Sequence, residues 1–251
     1  MNFSGAPERI RTSGPRIRNP MLYPTELPGR GKIITLIFLG LIWYLLRMSK
    51  DVHLHLIEVS KKHCKPLQKL LQNNGVIEIN VPKNLPLFDC LAQTVIEQQL
   101  AYAAAETIWK RLNKAATSAN QTLFLFCNQN NRATLKKIGL SGNKIKAILG
   151  ARSAIENGDL NAENLSVMNY EKLHQTITSL WGFGNWSVDM IAIFYYGMTN
   201  VWSAQDLILN RGIKSLCEKS DLSPESLLEL VDPYQSYLAL HIWRSKDAKF
   251  D

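Results

Sequence analysis

Residues 180–194 read LWGFGNWSVDMIAIF. Two apolar segments meet there at Gly182-Phe183-Gly184, with Asn185 opening the second, and so short a link predicts a tight hairpin between two helices. Glycine reaches positive φ without a Cβ penalty and lets a second backbone approach closely. Successive N–H groups at such a turn, leading into a helix N-terminus, make a cradle for one phosphate oxygen. An ordinary helix–helix turn uses the same residues, and a bare GxG does not separate the two readings.

Outward from the hairpin, the helical period dominates. Helices are predicted at 169–180 and 185–197. Upstream lie 131–138, ended by Gly139, and 142–157, capped by Ser141 and ended by Gly158. The run 88–112 places Leu91, Val95, Ala104, Ile108 and Leu112 on one helical face, and 65–73 is a further helix ended by Asn73-Asn74-Gly75. Downstream, a helix begins close to Asp206, Pro224 after Ser223 marks another start, and the last runs from about 233 to 244. Only 52–59 and 76–81 read as short extended pieces, with His53 and His55 forming the polar face of a strand. The predicted fold is all-α, mainly helical.

Composition narrows the class. The chain has 251 residues, 46% hydrophobic and 20% charged, which excludes a wholly disordered or collagen-like protein. Its net charge of +8 points to nucleic acid or an anionic membrane, but residues 1–47 carry seven basic residues and only two acidic ones. That leader is rich in Pro, Gly and Arg, then apolar over 33–46. As a helix the apolar run reaches about 21 Å, short of the roughly 30 Å hydrocarbon core. A membrane anchor, a failed secretion signal and upstream sequence preceding a start at Met48 compete for it. The third is favoured, because ordinary globular character begins at Met48. The domain is expected to span 48–251, with 1–47 an atypical leader.

Cys64, Cys90, Cys127 and Cys217 form no CxxC pair, and the five histidines show no HxxxH spacing. Dispersed cysteines of this kind are expected to be small buried hydrophobes in a reducing cytosol, not zinc or iron–sulfur ligands. No cofactor and no catalytic metal are called for.

LWGFGNWSVDM resembles the helix–hairpin–helix of the DNA glycosylase superfamily, in which a catalytic aspartate follows the hairpin. Four further segments agree in order. TVIEQQLAYAAAETI (94–108) is similar to the family's QQLS helix, and IGLSGNKIKAILGARSAIENGDL (138–160) to its GLSxxK segment. NVWSAQDLILNRG (200–212) resembles the aspartate segment, and DPYQSYLALHIWR (232–244) the end of DNA-3-methyladenine glycosylase II. The resemblance covers about 85–245 and implies two helical subdomains flanking an active-site cleft, with short extended segments possible at the N-terminal side.

The resemblance carries the catalytic carboxylate onto Asp206. An aspartate at a helix start is by default a cap, and the two roles are compatible. Glycosidic cleavage builds oxocarbenium character on deoxyribose, which a preplaced carboxylate stabilises while it orients water. Trp186 occupies the position where bifunctional members carry the Schiff-base lysine, and an indole cannot be that nucleophile. The implied reaction is therefore base removal alone. Trp186 and Trp243 match the family's pocket aromatics, which suit electron-poor or cationic alkylated purines by stacking and cation–π attraction; Trp243 is equally a core residue. Gln99 and Leu100 match the wedge that fills the gap left by a flipped base, Leu100 again with a core alternative. Gly182, Phe183, Gly184 and Asn185 form the phosphate-binding hairpin, with Lys144, Lys146 and Arg211 as further phosphate neighbours or plain solvated charges.

The sequence departs from the family at Ala101, where a serine is usual, at Ala204-Gln205 before the aspartate, and at Gln235 in place of an arginine. The implied protein is a monofunctional, monomeric, cytoplasmic and nucleoid-associated DNA glycosylase. It acts on 3-methyladenine- and 7-methylguanine-type lesions in double-stranded DNA, without a membrane partner for 48–251. The alternatives are a glycosylase for mismatched or oxidised bases, a non-catalytic helix–hairpin–helix DNA-binding module, and a membrane-anchored protein.

Overall fold

The computed structural model describes residues 49–247, with side chains described to 245, so the leader expectations lie outside the described residues. Among the described residues thirteen α-helices follow one another: α1 (49–63), α2 (Lys65–Asn74), α3 (Leu87–Glu97), α4 (Tyr102–Ser118), α5 (Leu123–Phe126), α6 (Arg132–Ile138), α7 (Gly142–Glu156), α8 (Ala162–Ser166), α9 (Tyr170–Thr178), α10 (Asn185–Phe194), α11 (Leu207–Cys217), α12 (Pro224–Leu230) and α13 (Gln235–Asp247). No strand occurs among the described residues.

Two helices organise the interior. In α3 the residues Leu87, Phe88, Cys90, Leu91, Ala92, Val95 and Ile96 are all buried, and in α10 every residue from Ser187 to Ile193 is buried. A helix apolar all round must be enclosed on all sides. Accordingly α3 packs on α4, α5, α7 and α10, and α10 packs on α9. A second group joins α2 to α13 and α13 to α11, with α12 against α11. The contact of α11 with α13 is close because Gly212 faces Ile242, where any Cβ would collide with the isoleucine side chain. This sets the distance between the helix that starts at Asp206 and the helix that carries Trp243.

Three expectations need correction. Residues 52–59 are helical, within α1. Val52 and Leu56, four residues apart, are buried while Leu54 is 54% exposed, so the apparent alternation hides an i, i+4 pair. Segment 76–81 has no regular structure and serves as a connector. The run 88–112 is not one helix: α3 stops at Glu97 and α4 restarts at Tyr102, with Gln99 between them at φ 55.

At the restart, Ala101 is the N-cap of α4 and offers no side-chain acceptor. Ala101→Ser supplies one, and is expected to raise stability by about 0.5–2 kcal/mol in urea unfolding.

His241 of α13 is 1% exposed. Asn74 Nδ2 lies 3.2 Å from its Nδ1 and donates to its carbonyl at 2.9 Å, while Arg244 Nη1 donates to Asn74 O at 2.8 Å. Burial, then the neighbouring His53 and Arg244 charges, push the imidazole pKa down to about 3. The unfolded chain takes up that proton near the ordinary value of 6.5, so the contribution is complete above 6.5 and is lost as pH falls towards 3. Asp89 acts in the opposite sense. Burial raises its carboxyl to about 6, a contribution present below the ordinary 3.8 and lost as pH rises through 6. Comparing wild type with His241→Gln cancels the Asp89 effect. Their stability difference is expected to shrink as urea unfolding is moved from pH 7 to pH 4.

Candidate active site

A cleft of about 610 Å³ opens between the two helical groups. One wall is the α3–α4 turn, with Gln98, Gln99, Leu100 and Tyr102. The hairpin and α10 supply Gly182, Gly184, Trp186, Ser187, Met190 and Phe194, and the far side is Gln205 to Ile208 with Trp243.

Asp206 is the N-cap of α11 at φ −77, ψ 119. Its Oδ1 accepts from the N–H groups of Ile208 at 2.8 Å and Leu209 at 3.0 Å. Its Oδ2 accepts from Trp186 Nε1 at 3.2 Å. The carboxylate is therefore both a cap and a cleft group: one oxygen is spent on the helix, and the other is aimed at the indole across the cavity. Only 7% of the residue is exposed, which places the charge beside low-dielectric walls that lengthen its reach.

The two tryptophans differ. Trp186, in the first turn of α10, is half-buried and holds Asp206. Trp243 is 3% exposed, its ring 5.8 Å from that of Phe194 at 31°, and its Nε1 has no hydrogen-bond partner. Trp243 thus belongs to the core while one face lines the cleft. Leu100 is 37% exposed at the rim, which removes the simple-core alternative for it, and Gln99 beside it is exposed.

In the hairpin, Gly182 stands at φ 88, and a Cβ there would lie 2.7 Å from Ala147 Cβ. Gly184 caps α10 without a side chain, so the first-turn N–H groups of Asn185 and Trp186 receive no side-chain cap. They form an open donor pair at a helix N-terminus. Phe183 departs from the phosphate-binding expectation: its ring is buried and its N–H is spent on Leu180 O at 3.2 Å. The Asn185 Oδ1 lies 3.0 Å from His174 Nε2. Lys146 sits 4.0 Å over the ring of Trp181, which is 47% exposed beside the hairpin. Arg211 is exposed, whereas Lys144 turns inward.

Sequence reasoning missed several cleft residues. Leu207, 69% exposed beside the buried Asp206, is an apolar side chain at the edge of the cleft. Met190 and Phe194 carry no signal apart from their helical register with Trp186, four and eight residues on, and Ser187 carries none. Asp189 was also missed. It is buried behind the cleft wall, accepts from Tyr170 Oη at 2.6 Å, and burial raises its pKa. All four cysteines are free and buried. Among the described residues no group of three or more His, Cys, Asp or Glu is placed to hold a metal ion.

No family profile matches the sequence. The chain is 23% identical over 168 residues to a Bacillus subtilis protein named as a candidate DNA-3-methyladenine glycosylase, covering 63% of this chain and 58% of that relative's length. It is 22% identical over 200 residues to DNA-3-methyladenine glycosylase 1 of Schizosaccharomyces pombe, covering 78% of this chain and 86% of that protein. The solved S. pombe 3-methyladenine DNA glycosylase, in complex with abasic DNA, superposes with a TM-score of 0.68 over 78% of this chain and 96% of that one, at 21% identity. The helical architecture of the described residues and the hairpin entering α10 converge with these likenesses: the chain has the helix–hairpin–helix DNA glycosylase fold.

Proposed function

We propose that this protein is a monofunctional DNA glycosylase of base excision repair that hydrolyses the N-glycosidic bond of alkylated purines flipped from double-stranded DNA. The observation that carries the reading is the Asp206 carboxylate, fixed by two backbone N–H groups and the Trp186 indole within a cleft of about 610 Å³. The relatives named for 3-methyladenine support the choice of alkylated over oxidised or mismatched bases.

In this mechanism the duplex lies along the hairpin, and a phosphate oxygen accepts from the open N–H groups of Asn185 and Trp186. Leu100 and Gln99 enter the gap left by the extruded nucleotide. The base stacks on Trp186, with Trp243 forming the floor. An electron-poor or cationic purine gains about 0.5–2 kcal/mol from such a face. As the glycosidic bond lengthens, positive charge grows on the sugar, and Asp206 Oδ2 exchanges the indole N–H for the oxocarbenium and its attacking water. The water adds to the anomeric carbon, the bond electrons leave with the base, and Asp206 accepts the water's proton. Products are the free base and an abasic site. With Trp186 in the lysine position no Schiff base forms, so the strand stays intact.

Among the described residues no helix is long and apolar enough to cross a membrane. The reading places the activity in 48–251, acting as a monomer on nucleoid DNA in the cytoplasm. The direct test is incubation with methylated duplex DNA and identification of released bases by mass spectrometry. Release of 3-methyladenine or 7-methylguanine with uncut strands is expected. On parallel duplexes carrying oxidised or mismatched bases, release there alone reassigns the substrate, and DNA binding with no release from any of these duplexes leaves a binding module.

A further inference from the structure

Between α3 and α4, Gln99 is a non-glycine residue at φ 55, a conformation that a Cβ disfavours. Leu100 follows it at the cleft rim. Nothing in EQQLA breaks a helix locally, so the turn depends on tertiary contacts, and two side chains provide them. Lys144 of α7 donates from Nζ to Ile96 O at 2.7 Å and to Gln98 O at 2.9 Å. These carbonyls lie at the C-terminal end of α3, where backbone acceptors lack helical partners and the helix dipole favours a cation. Gln98 then reaches the other way, its Nε2 donating to Gly182 O and to Ser187 Oγ, each at 2.9 Å.

The geometry points to Lys144 and Gln98 as positioning residues that lock the Gln99–Leu100 turn in register with the hairpin, so that wedge and phosphate cradle meet DNA as one preformed unit. Four hydrogen bonds join α7, the α3–α4 turn, the hairpin and the first turn of α10. Lys144 directs two of its three donors into the protein. Its stem fills the space that a methionine would also fill, so removing the ammonium takes away the bonds and leaves the packing. A turn held in its working conformation loses less freedom when it enters the duplex, which is the general advantage of preorganisation. The inference rests on the proposed reading of Gln99 and Leu100 as the wedge.

The test uses the full chain and a duplex carrying 2-aminopurine beside a tetrahydrofuran abasic analogue, whose fluorescence rises when the neighbouring base unstacks. At saturating protein, confirmed by anisotropy, wild type is expected to give a clear rise. Lys144→Met and Gln98→Met are each expected to cut that rise by more than about half, the unstacking no longer being enforced, and Lys144→Arg to restore most of it. A full rise with both Met variants overturns the inference, as does an Arg variant that behaves like Met, or a wild type that gives no rise. Should Lys144→Met be unfolded by circular dichroism, Gln98→Met decides on the same readout. Base release from methylated DNA is scored separately: release without a fluorescence rise sinks only the wedge lock, and a rise without release sinks only the glycosylase reading.

Discussion

Asp206→Asn is expected to fold, bind abasic-analogue DNA with undiminished affinity, and excise alkylated bases at least about 100-fold more slowly, the scale seen when one preorganised electrostatic group is removed from an active site. Asparagine caps a helix as well as aspartate does. Its Oδ1 can keep the N–H groups of Ile208 and Leu209, which now lie at 2.8 and 3.0 Å from the carboxylate. That orientation turns Nδ2 towards the Trp186 indole, donor against donor, so the 3.2 Å contact is lost. What disappears with it is the negative charge that the proposed mechanism sets against the sugar. Asp206→Ala separates the two roles, because it removes charge and cap together and is expected to lower stability by a further ~0.5–2 kcal/mol. Single-turnover excision and thermal melting on the three proteins read both effects. An Asn variant with wild-type turnover refutes the assignment of the carboxylate.

Much of the fold was legible because it is written in local signals. Ser141 accepts from Lys144 N at 3.2 Å as its position before α7 predicted, and Gly139 ends α6 at φ 117. Pro224 opens α12 behind Ser223. What was not legible follows from non-local causes. The break at Gln98–Ala101 has no proline, glycine or side-chain cap, and the group that meets the Gln98 carbonyl there is Lys144, 46 residues away. In α1, VHLHLIEV alternates over a stretch too short to tell period 2 from period 3.6, so a helix carries a strand's pattern there. In the site, Asp206 could be found as a cap from sequence, but its link to Trp186 required both helix starts to face one cleft. Lys144 is the sharpest case: as a residue type it reads as a phosphate neighbour, and only its two short bonds reveal that it serves the backbone.

Gly182→Ala is expected to be the most damaging change in the hairpin outside the carboxylate itself. Two costs combine there. At φ 88 a Cβ adds about 1–2 kcal/mol of backbone strain. The same Cβ would lie 2.7 Å from Ala147 Cβ on α7, a methyl that cannot swing aside, and overpacking of this kind adds roughly 1–3 kcal/mol. The hairpin must then lift from α7, and with it the Gly182 carbonyl that Gln98 holds at 2.9 Å and the open N–H groups of Asn185 and Trp186. Affinity for duplex DNA should fall along with the melting temperature. Gly184→Ala is the control: at φ −103 with nothing within 4 Å of its Cβ, it should leave stability near wild type. Adding Ala147→Gly to the Gly182→Ala protein relieves the steric part alone, at a helix-propensity cost of about 1 kcal/mol that the single Ala147→Gly variant measures. A double-mutant cycle in urea should therefore show favourable coupling between 147 and 182, with the backbone strain left unrecovered. Additive effects would mean that the hairpin does not rest on α7, and that the shared register of cradle and cleft has another origin.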